Sequence, residues 1–183
     1  MHLTLGVRGV DGTRSRLPDS LVCYFTRPRN SRTIWYMITD SGVEIEAPAG
    51  VVWDVFSDVE RWPEWTASVT RLVALDGPGL AVGKRFEIKQ PRMPKLVWEI
   101  TELTPGSSWT WVQRSPGGMT LARHDVIQES DRRTQVRQQL DQRGPVGSIV
   151  GLLMRGMTRR YLELEAAGLK ARSEQRRVDG PGA

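Results

Sequence analysis

The chain has 183 residues, 39% hydrophobic and 26% charged, a balance typical of one globular domain and unlike a disordered or membrane-embedded chain. Its single cysteine, Cys23, excludes an internal disulfide and a cysteine-based metal site. The net charge of +5 lies at the two ends: residues 1–36 carry net +4, residues 170–183 net +2 and residues 37–169 net −1. A groove that tracks phosphates needs the opposite distribution, so nucleic-acid binding is not expected.

Both ends differ in composition from the middle. Residues 1–36 are rich in Arg, Gly, Ser and Pro without periodicity, which predicts an irregular, disordered extension. Regular patterning starts at Met37, so 1–36 is either a flexible arm or a stretch upstream of the natural start. Residues 173–183 are predicted to be a disordered tail, which leaves one folded domain at 37–172. We find no secretion signal and no membrane-spanning stretch, so a cytoplasmic location is expected.

The folded domain is predicted to begin with a strand and two short helices. Residues 43–46 alternate apolar and acidic side chains, as in a half-buried strand. Pro48 suits the first turn of a helix. Ser57 and Glu60 have the spacing of a capping box, which predicts a second short helix containing Trp62-Pro63-Glu64-Trp65.

Six further strands are predicted in an antiparallel meander. Apolar and polar residues alternate in short segments, and turn residues such as Gly77-Pro78-Gly79 and Pro105-Gly106 separate those segments. The predicted strands are 69–75, 84–89, 95–103, 108–113, 119–128 and 134–142.

One long amphipathic helix follows Gly144-Pro145. Its apolar side chains recur three and four positions apart and predict one buried face, formed by Val146, Val150, Leu153, Met157, Tyr161 and Leu164. A curved sheet needs its concave face covered, and only this helix is long enough. The expected fold class is therefore α+β: a curved antiparallel sheet of about seven strands around a long C-terminal helix, with two short helices after the first strand.

This order of elements, read with the pattern of residues 45–58 and with Trp62-Pro63-x-Trp65, resembles the START-like, or Bet v 1-like (SRPBCC), superfamily. The nearest branch is the polyketide cyclase/dehydrase and lipid transport group, and the resemblance covers about residues 38–172. It implies a helix-grip fold that holds an apolar ligand between the sheet and the long helix. The superfamily includes lipid carriers, hormone receptors and aromatase/cyclases, so fold analogy alone does not choose a function.

Several kinds of catalytic site lack support in the sequence. His2 and His124 are the only histidines, too few for a histidine-based metal site. The segment 77–83 is not a GxGxxG loop, and neither a Walker loop nor a GxSxG elbow occurs. No metal and no cofactor are expected, so any chemistry would belong to a pocket.

The expected pocket is rich in aromatic side chains. Seven tryptophans occur, and alternation puts Trp109 and Trp111 on one face of a strand. These rings either fill the core or line a cavity for an aromatic or polycyclic ligand, and both interpretations can hold at once. The candidate ligand-binding residues are Phe86, Ile88, Trp98, Trp109, Trp111, His124, Gln138, Met154, Met157 and Tyr161.

His124 and Tyr161 are the candidate catalytic residues. If Ala122, His124 and Val126 face inward, the imidazole enters an apolar cavity, where it could move a proton or bind a ligand carbonyl. The alternative is a histidine that is hydrogen-bonded within the sheet, and a register shift of one residue would turn it outward. The Tyr161 hydroxyl could meet the polar end of a ligand.

Three functions remain open at this stage. The first is binding of a hydrophobic small molecule, such as a lipid, a polyketide or a similar metabolite. Such a molecule is the expected partner of the protein. The second is a cofactor-independent cyclase or dehydratase that uses His124 or Tyr161 as acid and base. The third is a protein-interaction or antitoxin-like module with an incidental cavity. Integral membrane association is not expected, and the sequence does not determine the oligomeric state.

Overall fold

The computed structural model describes residues 36–179, which form seven strands, three α-helices and one 3-10 turn. The strands are β1 Tyr36–Ile45, β2 Arg71–Ala74, β3 Arg85–Lys89, β4 Lys95–Thr104, β5 Ser108–Ser115, β6 Gly118–Ser130 and β7 Arg133–Arg143. The helices are α1 Ala49–Ser57, α2 Trp62–Trp65 and α3 Gly144–Asp179, and the 3-10 turn Val59–Arg61 precedes α2. The predicted fold class is confirmed.

The strands form one antiparallel sheet in the order β1-β7-β6-β5-β4-β3-β2. Consecutive strands from β2 to β7 are neighbours, as in a meander, and β1 returns to pair with β7 along its full length. The strands between the edges β1 and β2 are hydrogen-bonded on both sides, so backbone pairing in the sheet is nearly complete. The sheet is curved, and α3 lies across its concave face together with α1 and α2.

The hydrophobic core fills only part of the space between the sheet and the helices. Val52, Val55 and Phe56 of α1 pack there with Trp62 of α2 and Leu169 near the end of α3. They meet side chains from the inner faces of the strands, including Ile45, Phe86, Ile100, Trp109 and Val136. The core thus lies under α1, α2 and the C-terminal part of α3, and the N-terminal part of α3 covers a different region.

The inward side of α3 is wider than predicted, because Val146, Val150, Met157 and Tyr161 of the predicted face do line the space beneath the helix and further residues join them. The residues that turn inward include Gly151, Met154, Leu162, Glu165 and Leu169, whereas Leu153 is 79% exposed. The apolar pattern missed Gly151, where a Cβ would overlap the side chains of Gln142 and Met37.

Two predictions about the ends of the domain change. The helix does not end at residue 172, because α3 continues to Asp179 and Ser173 is fully buried. Residues 173–179 are therefore helical rather than part of a disordered tail, and 180–183 lie outside the described residues. Nearly all of the predicted extension 1–36 also lies outside them, and Tyr36 already belongs to β1.

The Ser57 capping box is not formed, because no side chain caps the 3-10 turn that follows.

Two glycines of α3 predict opposite effects of the same substitution. A Cβ on Gly168 would overlap the backbone carbonyl of Trp65 in α2, whereas a Cβ on Gly156 meets nothing within 4 Å. Gly168→Ala is expected to lower the free energy of unfolding by about 1–3 kcal/mol through overpacking. Gly156→Ala is expected to raise it by up to about 1 kcal/mol through helix propensity. Urea denaturation of both variants measures the two effects, and equal effects would contradict this packing of α3.

Candidate functional site

A cavity of about 420 Å³ lies between the concave face of the sheet and the N-terminal two-thirds of α3. Its sheet wall includes Ile88, Leu96, Trp98, Trp111 and Ala122. Its helix wall runs along α3 and is formed by Val146, Gly147, Val150, Met154, Met157, Thr158, Tyr161, Leu162 and Glu165. Where the cavity meets the core, Trp62 forms part of the wall, and its indole N–H donates to the carbonyl oxygen of Phe56 at 2.9 Å.

His124 stands at this boundary, inside a ring of aromatic side chains. The imidazole stacks on Trp109 with ring centroids 4.5 Å apart and planes 9° apart, and Phe56, Trp62 and Trp111 contact it edge-on. Burial lowers the pKa of His124 to about 3, and the weaker opposite influence of the Trp109 backbone does not offset it. The imidazole is therefore neutral at physiological pH. Its Nδ1 is buried and has no hydrogen-bond partner among the described residues.

Glu165 is the ionisable group that the sequence analysis missed. Its side chain lies on the inner face of α3, only 7% exposed, and lines the cavity. The Ser68 hydroxyl donates to Oε1 at 2.8 Å, and Gln138 Nε2 donates to Oε2 at 2.9 Å. Burial raises the pKa of Glu165 to about 7, although these two hydrogen bonds favour the charged form. Glu165 therefore changes protonation state near neutral pH.

Tyr161 connects α3 to the loop between β3 and β4. Its hydroxyl donates to the backbone carbonyl of Pro91. Gln90, Arg92 and Met93 of this loop line the cavity, so the hydrogen bond holds one rim of the cavity to the helix. The hydroxyl proton of Tyr161 is therefore used in a structural contact, which weakens its case as a proton donor to a ligand.

The structure brings eight of the ten predicted ligand-binding residues to one cavity. These are Ile88, Trp98, Trp111, His124, Gln138, Met154, Met157 and Tyr161. Phe86 and Trp109 also face inward, but they lie in the packed core and not on the cavity wall. The core occupies one part of the concave face, and the cavity occupies the other part. Alternation along a strand shows which side chains face inward, but not which of these two parts they reach.

Glu165 left a weak signal in the sequence. It lies four residues after Tyr161, and this spacing puts both side chains on one side of the helix. The predicted face was built from apolar side chains and ended at Leu164, so the acidic Glu165 was not considered for it. Gln138, by contrast, follows the strand alternation with Val136, and both are buried.

Within residues 36–179, no helix is both long and apolar enough to cross a membrane. No group of His, Cys, Asp and Glu side chains in this range is arranged to hold a metal ion.

The comparisons with known proteins agree with this architecture. Residues 38–174 match the family described as polyketide cyclase / dehydrase and lipid transport. The search of curated proteins found no match.

Solved structures with the same fold come from distant proteins. A point mutant of norcoclaurine synthase from Thalictrum flavum, in complex with a transition-state analogue, has a TM-score of 0.64 and 12% identity over 79% of this chain and 98% of that one. An aromatase/cyclase from a Streptomyces species has a TM-score of 0.60 and 17% identity over 81% and 99%. A hypothetical protein from Helicobacter pylori has a TM-score of 0.64 and 14% identity over 74% and 87%. At these identities, the likeness shows the fold alone.

The two buried ionisable groups predict opposite effects of pH on stability. The pKa of Glu165 is raised in the folded state. Above pH 4.5 the folded protein keeps a proton on this carboxyl group that the unfolded chain has released, so Glu165 lowers the free energy of unfolding as pH rises toward about 7. The pKa of His124 is lowered in the folded state. Below pH 6.5 the unfolded chain binds a proton on this histidine that the folded protein does not bind, so His124 lowers the free energy of unfolding as pH falls toward about 3.

We expect the two effects to cancel between about pH 5 and about pH 6.5 in the wild type. Over that range, the free energy of unfolding of Glu165→Gln should rise with pH, relative to wild type, by up to about 1.4 kcal/mol per pH unit. That of His124→Phe should fall by a similar amount. Urea titrations at several pH values measure both slopes, and parallel curves for all three proteins would contradict the assigned ionisation states.

Proposed function

This chain belongs to the polyketide cyclase/dehydrase and lipid transport family, and we propose that it binds a hydrophobic small molecule between its sheet and α3. The ligand class is a lipid, a polyketide or a related metabolite. The observation that carries this proposal is the cavity of about 420 Å³, because protein interiors are normally packed without voids of this size. Small-molecule sites have volumes of roughly 300–1,000 Å³, so the cavity has room for such a ligand.

The chemistry of the walls supports an apolar and partly aromatic ligand. Trp98 and Trp111 lie side by side on the sheet wall, with ring centroids 5.6 Å apart. Their faces offer stacking surface to a flat ligand. Met154 and Met157 lie across the cavity on α3, and their unbranched side chains adapt to irregular shapes. Side chains that face an empty space lack van der Waals partners on that side, and a bound ligand would supply those contacts.

Substitution of two adjacent residues of α3 tests the proposal. Met154 lines the cavity, whereas Leu153 is exposed and does not. Met154→Trp should fill the cavity and lower the uptake of apolar fluorophores by about tenfold or more, since excluded volume removes ligand contacts. Leu153→Trp is the matched control and should retain uptake. The measurement is a fluorophore titration, supported by native mass spectrometry and organic extraction of the purified wild type.

Two results would contradict ligand binding. One is a wild-type protein that purifies empty and takes up none of a panel of apolar fluorophores. The other is equal uptake by the two tryptophan variants, which would put the fluorophore outside the cavity.

A second candidate function, a cofactor-independent cyclase or dehydratase, is favoured by one observation. Such an enzyme needs a group that moves protons near neutral pH. Burial raises the pKa of Glu165 to about 7, whereas the pKa of His124, about 3, makes the imidazole a poor base. If the protein is an enzyme, we expect Glu165 to be the acid and base, in place of His124 and Tyr161.

Proton exchange on a small ketone tests this second function without knowledge of the substrate. We expect the wild type to accelerate deuterium incorporation next to the carbonyl of 2-tetralone in D2O by about 100-fold or more, as general bases commonly do. Glu165→Gln should abolish the acceleration, and Glu163→Gln, on the exposed side of α3, should not. NMR follows the exchange. Binding of 2-tetralone without acceleration would leave ligand binding as the function.

A further inference from the structure

The inner end of the cavity is a small polar site within apolar walls. The carboxyl group of Glu165 receives hydrogen bonds from Ser68 on one oxygen and from Gln138 on the other. The Ser68 hydroxyl also contacts the Thr66 hydroxyl at 3.0 Å, so the carboxyl is supported from the segment after α2 as well as from β7. Gln138 is the cross-strand neighbour of His124, which places that neutral imidazole beside the site.

No cation within residues 36–179 balances this carboxyl group. Its pKa is shifted by burial and by its two neutral hydrogen-bond donors alone, without a contribution from a nearby charge. The charged or titratable side chains on the cavity wall, besides Glu165, are Arg92, Arg123, His124 and Tyr161. Arg123 is on the solvent-facing side of β6 and is paired with Asp125 at 2.9 Å. Arg92 lies in the rim loop between β3 and β4, His124 is neutral, and Tyr161 donates to Pro91.

The carboxyl group of Glu165, which lines the cavity, retains hydrogen-bonding capacity. Each carboxyl oxygen has two acceptor positions, and each accepts a single hydrogen bond from the described residues. When protonated, the same group can also donate. A hydroxyl or keto oxygen of a ligand matches these possibilities, whereas a carboxylate or phosphate would put a second negative charge beside a buried acid. Buried His124 Nδ1 is a further polar atom without a partner in the described part of the chain.

We propose that Glu165, with Ser68, Gln138 and His124, selects an apolar ligand whose inner end is an uncharged hydroxyl or keto oxygen, and rejects ligands with an anionic group there. This specificity rests on the proposed ligand binding and deepens it. The bound ligand therefore lies with its uncharged oxygen at the inner end of the cavity, near Trp62.

Three probes with one ring system test this selectivity: naphthalene, 2-naphthol and 2-naphthoate. Equilibrium dialysis gives the dissociation constants at about pH 6, where Glu165 is mostly protonated, and at about pH 8.5, where it is mostly ionised. We expect naphthalene and 2-naphthol to bind about equally well at the two pH values. Binding of 2-naphthoate should weaken by on the order of tenfold at the higher pH, because two like charges would then share the site.

Two variants assign the effect to Glu165. Glu165→Gln keeps the shape but cannot ionise, so 2-naphthoate should bind it equally at both pH values. Its amide nitrogen donates where a carboxyl oxygen accepted, and the Ser68 hydroxyl can turn to accept that hydrogen bond. Glu163→Gln, two residues away on the exposed side of α3, should behave like wild type. If 2-naphthoate binds wild type independently of pH, or if Glu165→Gln keeps the pH dependence, the selectivity is overturned while ligand binding stands. If naphthalene also fails to bind, the proposed function itself fails.

Discussion

The constraint that shapes this protein is the concave face of its curved sheet, which must be covered along its whole length. The helix α3 spans that face, but the short helices α1 and α2 supply large side chains to only one part of it. Where they do, Phe56, Trp62 and Trp109 make a dense aromatic core. Where they do not, a cavity remains under the N-terminal part of α3. Core and cavity are therefore two halves of one interface.

The boundary between these halves concentrates the polar chemistry. A buried charge is costly unless it is paired, and a buried ionisable group responds by shifting its pKa toward the neutral form. His124 and Glu165 both follow this rule, one by losing its proton and the other by keeping it. Both shifts favour the neutral form, so the site is uncharged from above the pKa of His124, about 3, to below that of Glu165, about 7. An apolar ligand with one uncharged oxygen fits such a site.

Much of the fold could be predicted from the sequence, because alternation along strands and turn residues between them are local signals. The inward direction of His124 and Gln138 also follows from alternation. The identity of the cavity wall could not be predicted, since Trp109 and Trp111 share a face but only Trp111 lines the cavity. The full width of the inward side of α3 could not be predicted, because apolarity is a poor guide where a glycine such as Gly151 packs closely against neighbouring side chains. Glu165 was missed because the predicted face was built from apolar side chains.

The most direct measurement of the central claim is the ¹H–¹⁵N NMR spectrum of the tryptophan indole groups during a titration with an apolar ligand such as naphthalene. Trp98 and Trp111 line the cavity, whereas Trp53 and Trp109 pack in the core. We predict saturable shifts of the Trp98 and Trp111 signals, with much smaller changes for Trp53 and Trp109. Unchanged Trp98 and Trp111 signals, or shifts spread evenly over all the tryptophans, would contradict ligand binding between the sheet and α3.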